Sequence, residues 1–144
     1  MKLIAKGKEM TSIHLHEDKF LRILWDEKTR IIGLEWKEAT SAMTDEEFKR
    51  ELTGFADYVG AMKAAGILVD LSRFRHKPSP DTQQWRVKNI SSRYNDAGVQ
   101  RFAFLLPKDA PIPPLMNQSS RGEGFLTRAF NDAEQATSWL TATD

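Results

Sequence analysis

The hydrophobic pattern is most regular in the last third of the chain. RFAFLLP at 101–107, GFLTRAF at 124–130 and NDAEQATSWL at 131–140 follow one another there. The first two read as short buried strands. The third places Ala136, Trp139 and Leu140 on one helical face, behind a capping pair of Asp132 and Gln135. Upstream, ILVDL at 67–71 is apolar on both sides, as a strand covered on both faces would be. Before it, Phe48, Leu52, Phe55, Val59 and Met62 recur at spacings of three and four. Thr44 and Glu47 open that stripe as a capping box, with Asp45, Glu46 and Glu47 at the positive helix end. Gly66 reads as its stop. Ser79-Pro80 opens another helix, with Ser79 as cap and Pro80 at the first turn, and Gly98 ends it.

The pattern therefore predicts helices near 45–65, 80–97 and 132–141 around strands at 67–71, 102–106 and 125–130. Residues 20–25 and 30–37 flank the polar turn Asp26-Glu27-Lys28-Thr29 and read as a β-hairpin. Gly33 inside it hints at a bulge or close packing. Residues 12–17 form a first short strand, and 1–11 a flexible leader ahead of a single domain at 12–144. Pro111, Pro113 and Pro114 break the segment 107–124, where a short helix could run from 114 to 121. The fold class is α/β: one mixed, largely parallel sheet packed with helices.

Six stretches also carry a resemblance: MTDEEFKREL (43–52), LVDLSRF (68–74), SPDTQQW (79–85), AGVQRFAFLLPKD (97–109), GEGFLTRAFND (122–132) and AEQATSWL (133–140). Together they resemble the SpoIIAA-like proteins, small bacterial domains related to the STAS fold of anti-sigma-factor antagonists and to CRAL-TRIO lipid carriers. The resemblance covers roughly 12–141. It implies a non-enzymatic regulatory or binding domain; the cytoplasm is expected from the missing signal peptide, membrane span and cysteines. Its alternative is a carrier of a lipid or other apolar molecule, with a cavity under 107–124. STAS antagonists are switched at a serine in an Asp-Ser-Ser-Gly-like turn. That pattern is absent from 72–85, where Ser79 is the serine at a helix start and hence the candidate phosphorylation site.

Composition narrows the chemistry. The 144 residues carry a formal net charge of +1, which gives no overall attraction to nucleic acid. Cysteine is absent, which removes disulfides, thiolate catalysis and cysteine metal sites. The basic start MKLIAKGKEM has no long apolar run, so neither a signal peptide nor integral membrane association is expected. No nucleophile elbow, phosphate loop or dinucleotide fingerprint is present, and no cofactor is expected.

The densest basic cluster is Arg73, Arg75, His76 and Lys77, with Arg86 and Lys88 following. It precedes the helix start at Ser79, where an anion would meet free backbone N–H groups. Trp36 and Trp85 are candidates for lining a groove, and Trp139 for the core. The expected contacts of a protein partner, an anionic ligand or an apolar ligand are therefore Arg73, Arg75, His76, Lys77, Ser79, Trp85 and Trp36. Homodimerisation is left open. Asp70, at a strand's carboxyl end, could hold a proton or cation, or simply cap the next loop. His14 and His16 would share a strand face and, with Glu17, could approach a metal, but no third ligand is fixed by motif and no metal is expected.

Overall fold

A computed structural model describes residues 3–5, 8–10 and 12–142, with side chains from 12 onward. Two three-residue strands, β1 (Leu3–Ala5) and β2 (Lys8–Met10), pair antiparallel within the segment expected as a leader; its other residues lie outside the described ones. The main sheet has six strands in sequence order: β3 (Ile13–Glu17), β4 (Leu21–Asp26), β5 (Ile31–Trp36), β6 (Gly66–Asp70), β7 (Arg101–Leu105) and β8 (Leu126–Phe130). β3–β4 and β4–β5 are antiparallel; β5–β6, β6–β7 and β7–β8 are parallel. The sheet is thus mixed, not largely parallel as expected. The polar turn after Trp25 returns the chain beside itself, and only the later strands are joined by crossovers.

α1 (Asp45–Met62) makes the first crossover. Its capping box forms as read: the Glu47 amide donates to Thr44 Oγ1 at 3.1 Å, and the Thr44 amide donates to Glu47 Oε1 at 2.9 Å. The helix ends at Lys63, in the left-handed region at φ 52°, and Gly66 instead opens β6. The exposed carbonyls of Met62 and Lys63 are taken by the Arg30 guanidinium at 2.6 and 2.9 Å, so no glycine cap is required. The second crossover is helical from 80 to 97, but in three pieces: α2 (Pro80–Arg86), a π-turn (Val87–Ser91) and α3 (Ser92–Ala97). Gly98, at φ 95°, closes it as expected. The third crossover, residues 106–125, contains a 3-10 turn at Pro114–Met116 and a single antiparallel bridge from Ser120 to Thr127. The longer helix expected there has nothing to dock on: Leu115 is 91% exposed. α4 (Ala133–Thr141) closes the chain, with Asp132 Oδ1 accepting the Gln135 amide at 2.9 Å.

Alternation along the strands divides the core. Ile32, Leu34, Trp36, Ile67, Val69 and Phe102 face α1 and the α2–α3 helix. Ile31, Leu68, Ala103 and Leu105 face α4, through Ala136 and Leu140. Trp139 is half-buried rather than core. α4 is centred on Ala136 and Leu140, leaving the indole at the helix border, over the Arg101 guanidinium at 5.2 Å. Gly33 sits in regular register between Leu24 and Leu68. The bulge falls in β3 instead, between His14 and His16. No helix among the described residues is long and apolar enough to cross a membrane.

Candidate ligand pocket at the carboxyl edge

β5, β6 and β7 run parallel and end together, and their carboxyl ends meet the start of α1 and the side of α2. Three rings from three elements pack at this corner. Trp36 is the last residue of β5, Phe48 lies early in α1, and Phe74 lies in the loop after β6. Trp36 stacks on Phe48 at 5.7 Å between centroids, and Phe74 lies 5.0 Å from Trp36. Phe102 and Phe104 of β7 and the buried Tyr94 of α3 extend the wall. They enclose a cavity of about 260 Å³. Burial pushes the Tyr94 hydroxyl far up, so it stays protonated and uncharged.

One charged group reaches this cavity from α2. Arg86 Nε donates to Gln83 Oε1 at 3.0 Å, and its Nη1 lies 3.3 Å from Glu123 Oε1. Ser91 Oγ donates to the same carboxylate. Residues five apart diverge around an α-helix, and the wider π-turn brings Arg86 and Ser91 to one side. Glu123 is held from behind: Asn95 Nδ2 donates to its carbonyl at 2.6 Å. Gly124 follows at φ 105°, where a Cβ would stand 2.5 Å from the Asn95 amide, so only glycine fits. The 107–124 segment is thereby pinned beside the pocket. No residue of 107–124 lines the cavity, which lies between α1 and α2 instead of under that segment.

The basic loop runs along the rim. Arg73, Arg75 and Lys77 are exposed. The Arg75 amide donates to the fully buried Thr40 hydroxyl at 2.8 Å, and its guanidinium to the carbonyls of Ser72 and Phe74, both at 3.3 Å. His76 turns inward: Nε2 lies 2.8 Å from Asp45 Oδ1. The other Asp45 oxygen accepts the Ser79 amide at 3.4 Å. For Asp45, burial acts upward, but the hydrogen bonds with His76, Ser79 and Thr82 outweigh it and hold the carboxyl below its usual range. A carboxylate of the chain itself therefore stands before the α2 N-terminus, where an outside anion was expected. Ser79 caps α2, its Oγ accepting the Thr82 amide at 3.2 Å and donating to Thr82 Oγ1 at 3.0 Å. Trp85 is half-buried under the Lys49 ammonium, 5.8 Å from its ring. Asp70 closes the next loop, accepting the Ser72 amide at 2.9 Å and its hydroxyl at 2.6 Å.

Of the expected contacts, then, Trp36 lines the cavity, His76 and Ser79 are tied to Asp45, and Arg73, Arg75, Lys77 and Trp85 lie around the rim. Phe48 carried a signal as a member of the α1 apolar stripe, and Phe74 as an aromatic just after a strand end. The Arg86–Glu123–Ser91 link did not, because it depends on the π-turn. His14 and His16 do not share a face. The bulge sets His14 opposite Leu24 and His16 opposite Ile23, on the two sides of the sheet, and Glu17 pairs with Lys37 at 2.6 Å. No protein-family model, curated protein or solved structure matches the chain.

Proposed function

We propose that this domain binds a small amphipathic molecule, an apolar or aromatic body with one anionic group, at the carboxyl edge of β5–β7. The observation that carries the reading is the aromatic corner of Trp36, Phe48 and Phe74 with Arg86 beside it. Apolar walls with one oriented polar group are the usual composition of a small-molecule site. A cavity of about 260 Å³ is small for such sites, which suits a short-chain or single-ring acid better than a full lipid. The acid's charge competes with Glu123 for Arg86. The SpoIIAA-like resemblance belongs to the same proposal, as does a cytoplasmic carrier or sensor role without chemistry of its own.

Octanoate and octanol test it. Octanoate should change Trp fluorescence saturably, with octanol about tenfold weaker for want of the charge-assisted bond. Leu71→Trp, which fills the cavity, should abolish both. No saturable change at millimolar ligand would overturn the reading. A protein partner at this edge is favoured by one observation, the three exposed cations Arg73, Arg75 and Lys77 on one loop. Native mass spectrometry of protein purified from its source would show that partner as a salt-sensitive complex.

A further inference from the structure

A second cluster of chemically capable groups lies on another face of α1, the one turned toward β3. It is built by the β3 bulge. That irregularity turns His16 to the α1 side, with its ring 6.2 Å from Tyr58. Asp18 follows in the turn to β4. Its Oδ1 accepts the Phe20 and Leu21 amides at 2.9 and 3.1 Å, which fixes the carboxylate and leaves Oδ2 3.0 Å from His16 Nε2. Glu51 arrives from α1. Its Oε2 is fully buried and has no hydrogen-bond partner. One ligand atom from each of the three side chains lies within 4.8 Å of the other two. Gly54, one turn further on, sends no side chain into the adjoining hollow of about 410 Å³.

We propose that His16, Asp18 and Glu51 bind a divalent first-row transition-metal ion. One imidazole nitrogen and two carboxylates form a mixed N,O donor set, and the nitrogen selects such ions over Mg²⁺ and Ca²⁺. An ion about 2.0–2.2 Å from each donor needs neighbouring donors about 3 Å apart, which the His16–Asp18 pair already satisfies. Glu51 closes the remainder by a side-chain rotation, and the hollow leaves room for water as further ligands. Two carboxylates within 4.8 Å of each other attract a cation. Lys37 does not supply it, since its ammonium bonds the Asp18 carbonyl at 2.8 Å and the Glu17 carboxylate. Arg50 and Asp57 line the same hollow with opposite signs.

The untagged full chain is titrated with ZnCl₂, and separately with MgCl₂, by calorimetry near pH 7. The expected result is one Zn²⁺ per chain and no comparable Mg²⁺ uptake. His16→Ala and Glu51→Gln should each weaken Zn²⁺ at least about tenfold. His14→Ala, on the other face, should leave it unchanged. Near-UV circular dichroism confirms that each variant is folded. Absence of Zn²⁺ uptake overturns the site. Uptake lost equally in His14→Ala, or unaffected by Glu51→Gln, overturns it in favour of adventitious surface histidines.

Discussion

The two hollows beside α1 are supported by the same helix and differ in almost everything else. Phe48 and Leu52 face the cavity at the carboxyl edge of the parallel strands, while Glu51, Gly54 and Tyr58, on a neighbouring stripe, face the hollow near the antiparallel strand β3. The first is a cage of rings whose one cation, Arg86, is already matched by Glu123. The second has charged side chains in its wall, Arg50, Glu51 and Asp57, and adjoins the cluster of His16, Asp18 and Glu51. The first therefore discriminates by shape and apolar area, and the second by charge. α1 can support both because residues three and four apart fall on adjacent stripes.

The comparison can be broken at its shared support. Phe55 is fully buried beneath α1, so Phe55→Ala should cost about 3–5 kcal/mol in chemical denaturation and loosen both hollows together. A cost under about 1 kcal/mol would show that α1 is not the common wall. Next in size is the pH response of the polar hollow. Glu51 is raised to about 8 from 4.5, so between these values the folded state holds a proton that the unfolded chain has released. Stability should thus fall as pH rises from about 4.5 to 8. Glu51→Gln should flatten that slope and be more stable than the parent at pH 8, with the difference gone below pH 4.5. Asp18 works in the opposite sense. Burial pushes it up, but bonds from Glu51, His16 and the Phe20 and Leu21 amides hold it below 3.8, so its contribution is lost only in stronger acid. Urea midpoints across pH 2–8 measure both.

Smaller effects sharpen the aromatic side. Arg86→Ala should weaken octanoate about tenfold while leaving octanol unchanged, read by fluorescence titration. Glu123→Gln should do the reverse for octanoate, tightening it several-fold by freeing the guanidinium. Ser79→Ala should cost only about 1 kcal/mol through the lost cap, measured by denaturation, and leave octanoate affinity intact because Ser79 caps α2 outside the cavity wall.

The fold was largely legible in local chemistry. Thr44 with Glu47, Ser79 with Pro80, and Gly98 each marked a helix end that the structure keeps. Apolar runs at 67–71 and 102–106 marked strands to within one residue. What escaped was whatever depended on two distant segments at once. Arg30 replaces a glycine cap at the end of α1, and no local pattern announces an arginine 32 positions from the carbonyl it binds. The π-turn leaves no trace in hydrophobic spacing, yet it aligns Arg86 with Ser91. The β3 bulge inverted the reading of His14 and His16, because alternation in a strand holds only while register holds. Asp45 was read correctly as a first-turn acid of α1. Its second role, with His76 and Ser79, exists only once α2 lies alongside.

The bulge has a consequence outside either hollow. β3 is an outer strand of the six-stranded sheet, with β4 as its neighbour and a row of backbone groups toward the other side. A straight strand there would be a template onto which a second chain could zip, the first step toward aggregation. The break in register between His14 and His16, with Glu17 and Lys37 charged beside it, interrupts that template after very few residues. Straightening β3 by deleting Leu15 would restore an uninterrupted edge and should lower solubility before it lowers stability.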